Sequence, residues 1–82
     1  MAWREKMQLV EVMRERMWVK DGDLLESEGQ FEKAIAAYDH ALQIDPGDAD
    51  AWFNKGIALK KLGKISESTT CVETAINLYC GR

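Results

Sequence analysis

The sequence predicts an all-α fold of antiparallel helix hairpins, and three observations predict it. Apolar residues recur at three- and four-residue steps along four stretches, the spacing that gathers them on one face of a helix. Glycine or a Pro-Gly pair separates the stretches, at Gly29, Pro46-Gly47 and Gly63. The chain also resembles itself when shifted by 34 residues, a period typical of repeat architectures.

The first stretch runs from Met1 to Glu28, with Gly22 its only helix breaker. Trp3, Met7, Val10, Met17, Leu24 and Leu25 mark a stripe along its length, so one long helix is expected. No segment on its N-terminal side in this sequence covers Trp3, Met7 and Val10, so their cover must come from elsewhere in the fold or from another chain. Four methionines, Met1, Met7, Met13 and Met17, belong to this helix, and methionine-rich faces suit adaptable contacts.

Gly29 ends that helix, being able to take the left-handed conformation at low cost. A second helix is expected from about Phe31 to Ile44, with Ala34, Ile35, Tyr38, Ala41 and Leu42 on one face. Asp45-Pro46-Gly47-Asp48 stops it, because Pro46 cannot continue a helix and disfavours helical geometry in the residue before it. Asp48 is placed to cap a third helix, from about Ala49 to Leu62, with Asp50 favourable in its first turn and Lys60 and Lys61 in its last. A fourth is expected from about Ile65 to Leu78. Its Ser66, Ser68, Thr69 and Thr70 have hydroxyls that compete for backbone hydrogen bonds, so this helix must lean on packing.

At 82 residues and 9.3 kDa the chain is one small domain with little room for an isolated core. A net charge of -3 argues against nucleic acid as the main partner, since phosphate binding needs a concentrated basic face. Charged residues, Arg4, Glu5, Lys6, Glu11 and Arg14, interrupt the N-terminal apolar residues, so neither a signal peptide nor a membrane-spanning helix is expected. That leaves a cytoplasmic location. Cys71 and Cys80 fall nine residues apart in one helix, about 13 Å along its axis, and cannot bridge each other.

The 34-residue offset places Trp18 on Trp52, Gly22 on Gly56, Leu25 on Leu59, Gly29 on Gly63 and Ala41 on Ala75. An aromatic, a small residue four on, then Leu, then the run Ala34, Tyr38, Ala41, Pro46 resembles the tetratricopeptide repeat. The resemblance divides the chain into a helical extension at 1–14 and repeats at 15–48 and 49–82. It departs from the usual pattern at Asp21, Lys55, Ser68, Val72 and Cys80. It implies a right-handed α-solenoid in which large residues fill gaps beside small ones: Gly22 and Gly56 facing Ala34, Ala41, Ser68 and Ala75, with Trp18, Trp52 and Tyr38 as core. It also implies that the first helix of each pair lines a concave groove for a peptide or protein partner. The matching positions are Val19, Lys20 and Asp23, then Phe53, Asn54 and Ile57. A family subgroup grips chaperone C-termini with Lys and Asn on the first groove helix; Val19 and Asp23 stand there in this chain, and only Asn54 matches.

No catalytic set is legible. His40 is the single histidine and has no second ligand or nucleophile beside it, so it reads as an exposed structural residue. Asp45, Asp48 and Asp50 lack the closing glutamate of a calcium loop, Gly56 standing in its place, and are explained as turn and cap residues. No metal or cofactor is expected. The sequence therefore predicts a non-catalytic protein–protein interaction scaffold. Repeat arrays need about three repeats and polar caps to stand alone. Self-association, as a dimer, through Trp3, Met7, Val10, Val72, Ile76 and Tyr79 is the first expectation, and a monomeric peptide-binding module or a piece of a longer array is the second.

Overall fold

The computed structural model describes the backbone of residues 2–81 and the side-chain surroundings of residues 9–81. Four helices follow one another: α1 (Ala2–Ser27), α2 (Phe31–Ile44), α3 (Ala49–Lys61) and α4 (Ile65–Tyr79). Among the described residues there is no strand. α1 packs along α2 and α3 along α4, α2 packs on α3, and α1 touches α3 only lightly. The result is two antiparallel hairpins side by side in a slab 46 × 31 × 14 Å.

Both hairpin turns close identically. Gly29 and Gly63 have φ of 79° and 83°, a left-handed geometry costly for a residue with a Cβ. In the first, Gln30 N–H donates to Leu25 O at 2.9 Å and Gly29 N–H to Glu26 O at 3.0 Å. In the second, Lys64 N–H donates to Leu59 O and Gly63 N–H to Lys60 O, each at 2.9 Å. This double closure satisfies carbonyls that the helix end would otherwise orphan.

The junction between hairpins is built differently. Asp45 Oδ1 accepts from Gly47 N–H at 3.1 Å, and Asp48 caps α3 by accepting from Ala51 N–H at 3.2 Å. The Trp52 indole N–H donates to Pro46 O at 2.8 Å, so the first turn of α3 holds the junction by its own side chain. Ala41, Leu42 and Ala51 form the buried seam behind it, with Val19 and Trp52 packed against them.

The core is made largely of alanine: Ala34, Ala37, Ala41, Ala51, Ala58 and Ala75 are buried, with Leu42, Leu59 and Cys71. Tyr38 is the one large side chain among the described residues that is completely enclosed. Two expectations are corrected here. Gly22 does not face a small residue: a Cβ added there would lie 2.6 Å from Tyr38 Cε1, so the glycine makes room for the ring itself. Trp18 is not core either. It is 37% exposed and stacks on His40 with ring centroids 4.4 Å apart, because its position faces the rim of α2, where an imidazole covers one face of the indole. Gly56 makes room for α4: its added Cβ would meet Val72 Cγ2 at 2.9 Å and the backbone carbonyl of Ser68 at 3.2 Å. The Ser68 hydroxyl donates to Gly56 O at 2.7 Å, which satisfies a buried polar group across the α3–α4 contact. Cys71 and Cys80 are both free thiols.

Candidate protein-binding groove

Glu15 of α1 stands level with the α2–α3 junction, where Asp45 and Asp48 face it. The part of α1 before Glu15 therefore overhangs the hairpins. Beneath that overhang runs an open groove of about 1140 Å³, with α1 on one side, the junction and the start of α3 on the other, and Tyr79 of α4 at one end. The Tyr79 hydroxyl donates to Asp50, fixing that end to α3.

The six groove positions expected from the sequence divide in two. Val19, Lys20 and Asp23 line this groove, Val19 half-buried with its inner side in the core seam and Lys20 exposed. Phe53, Asn54 and Ile57 lie farther along α3 and do not line it. Phe53 is 41% exposed, with Ile57 half-buried one turn away. A hydrogen bond joins the two sets: Asn54 Nδ2 donates to Asp23 Oδ1 at 3.2 Å. The same oxygen accepts from the Tyr38 hydroxyl at 2.6 Å, and Glu26 stands behind at 3.3 Å. Burial foremost, then the bond to Asp23 and its charge, push the Tyr38 phenol well above its ordinary range, so it acts only as a donor. Asp23 thereby ties α1, α2 and α3 together at the groove floor.

Glu15 was not among the expected site residues. It is 94% buried, being 6% exposed, and its Oε1 has no hydrogen-bond partner among the described residues. Burial first, then the hydrogen bonding and charge of Asp48 and the charge of Asp45, push its carboxyl up to about 7, with Arg16 pulling weakly the other way. A signal was present in the sequence: Glu15, Val19 and Gly22 fall at i, i+4 and i+7, so a carboxylate occupies a place on an inward stripe.

Of the residues expected to self-associate, Val10, Ile76 and Tyr79 are exposed, at 46%, 51% and 59%. Val72 is half-buried with a methyl against Gly56. The side chains of Trp3 and Met7 lie outside the described residues. Leu9, Val12, Met13 and Met17 extend the exposed apolar surface of α1. A second, smaller cleft of about 580 Å³ opens between α2 and α4 over α3. The Lys55–Asp39 ion pair at 2.6 Å lies beside it, and so does Cys71, whose thiol burial pushes upward and keeps protonated. Among the described residues no group of three His, Cys, Asp or Glu is placed to hold a metal ion, and no helix is long and apolar enough to cross a membrane.

Residues 22–63 match the family model described as TPR repeat, and residues 49–79 match that of the tetratricopeptide repeat. The chain belongs to the tetratricopeptide repeat family. The first match begins at Gly22 and ends at Gly63, so it joins the back of one tetratricopeptide hairpin to the front of the next. An uncharacterized protein of Methanocaldococcus jannaschii is 33% identical over 60 residues, covering 73% of this chain and 70% of that protein.

Proposed function

We propose that this chain is a non-catalytic scaffold for protein–protein contacts, organised as a helical extension at 1–14 and repeats at 15–48 and 49–82. Tetratricopeptide repeats suggest a protein-interaction module. The observation that carries the reading is the exposed Phe53, with Ile57 one turn on, next in sequence to Asn54, whose bond to Asp23 links it to a residue that lines the α1 groove. An apolar anchor beside polar groups is the usual anatomy of a binding surface. Phe53→Ala should therefore weaken capture of a bound peptide or protein by roughly tenfold, a loss of about 1–2 kcal/mol, with unchanged circular dichroism and melting temperature. Undiminished binding would count against Phe53 as the anchor.

The second part of the proposal is self-association, as a dimer. Its support is the exposed apolar run of α1, Leu9, Val10, Val12, Met13 and Met17, and the outer face of α4, Ile76 and Tyr79. Single exposed apolar residues are ordinary, whereas runs of them are not. Two free cysteines suit a reducing compartment, and we place the protein in the cytoplasm on that ground and on its charged first helix.

A further inference from the structure

We propose that the inner wall of the α1 groove, Glu15 with Asp45 and Asp48, receives the guanidinium group of an arginine side chain from a protein partner. This rests on the groove being a partner-binding surface and names the chemistry it selects.

The site is short of donors. Asp45 Oδ1 is engaged by Gly47 N–H and Asp48 Oδ1 by Ala51 N–H; the Glu15 carboxyl shares a hydrogen bond with Asp48, while its Oε1 has no partner among the described residues. Burial, then the hydrogen bond to Asp48 and the charges of Asp48 and Asp45, disfavour the ionised form, and the carboxyl is accordingly pushed up to about 7. Asp48 and Asp50 already complement the positive end of α3, so the charge of Glu15 is surplus to the fold.

The chain's own cations do not meet it. Arg16 and Lys20 line the same groove, yet neither bonds to Glu15 Oε1, and Arg16 is the weakest influence on the carboxyl. Glu11 and Asp50 add negative charge along the walls, and Tyr79 closes the end.

Three clustered carboxyls favour a cationic group that carries several donors at once. A metal ion is disfavoured, since these carboxylates do not converge as ligands. A guanidinium offers five N–H donors in a planar fork that spans two carboxylate oxygens, which an ammonium, as a point charge, cannot do. Val12, Met13 and Ile44 border the groove, apolar surface suited to the aliphatic stem of an arginine.

The test uses the full 82-residue chain with its Asp and Glu carboxyl carbons labelled, titrated by NMR with N-acetylarginine methylamide and with its neutral citrulline counterpart. The arginine compound should shift the Glu15 carboxyl saturably and lower its apparent pKa, while the citrulline compound leaves it in place. Glu15→Gln should weaken the response to the arginine compound, read at Asp45 and Asp48, by about tenfold. Asp45→Asn, whose amide oxygen still accepts from Gly47 N–H, should weaken it in a chain with its turn intact. Equal responses to both compounds, or undiminished binding by both variants, would overturn the proposal. Panning random heptapeptides against the wild type, Glu15→Gln and Phe53→Ala separates this inference from the broader one. Peptides that need Phe53 but carry no arginine and ignore Glu15→Gln sink the arginine subsite and leave the groove reading standing. A carboxyl that answers arginine while no peptide is enriched sinks the groove reading instead.

Discussion

Gly22 is defined by the ring opposite it. Tyr38 is fully enclosed and its hydroxyl is held by Asp23 at 2.6 Å, so it cannot retreat from a Cβ placed 2.6 Å from Cε1. Gly22→Ala gains up to about 1 kcal/mol in helix propensity but overpacks a rigid contact, which typically costs about 1–3 kcal/mol. A net loss of stability in urea denaturation is expected, and a gain would mean the ring has somewhere to go. Glu15 gives a second residue-level expectation. Its folded pKa, about 7 against an ordinary 4.5, means that the folded state binds the proton more tightly than the unfolded chain. The associated stability is complete below pH 4.5 and is lost as the pH rises toward and through 7. The full shift corresponds to at most roughly 3 kcal/mol, less where water reaches the groove edge. The melting temperature of the wild type should fall between pH 4.5 and 7.5 more than that of Glu15→Gln, and parallel curves would refute the assignment.

The elements were more legible than the contacts among them. Gly29, Pro46-Gly47 and Gly63 set helix ends that the structure reproduces closely, because left-handed closure and a missing N–H are local demands that tertiary packing did not override. Asp48 as the cap of α3 follows from the same local chemistry. Which side chain fills which gap is a tertiary matter. Trp18 and Trp52 occupy the same place one repeat apart, yet Trp18 lies half in solvent over His40 while Trp52 sits on the seam of Ala41, Leu42 and Ala51. The difference is what lies beside each: α3 packs between α2 and α4, whereas α1 packs on α2 and touches α3 only lightly. Trp52 therefore holds the junction both by its ring and by its bond to Pro46 O. Trp52→Ala should cost about 3 kcal/mol, against about a third of that for Trp52→Phe, which keeps a ring and loses one hydrogen bond. Denaturation midpoints read the difference, and near-equal losses would assign the junction to the hydrogen bond alone.

At the scale of the whole molecule, a slab 14 Å thick is little more than one helix diameter. Most helices therefore keep an uncovered face, and an alanine core offers little area to offset it. This is the physical case for self-association. Light scattering at micromolar concentration should give twice the 9.3 kDa chain mass, and a stable folded monomer would overturn the dimer. Val19 and Asp23, expected from the repeat, line the cleft beside α1, but the burial of Glu15 against Asp45 and Asp48 was not legible, because it depends on a junction 30 residues away in the chain.

The pattern of helix contacts also fixes how the chain finds its fold. Among the described residues α4 packs only on α3, and no helix packs on one more than two places away in order. Every loop to be closed is short, so ordering entropy is recovered almost as soon as it is lost, and folding should be rapid for so thin a core. Stability then accumulates interface by interface. α4 is therefore expected to open while the α1–α2 hairpin stays shut, which hydrogen exchange would show as faster exchange in α4 than in α2.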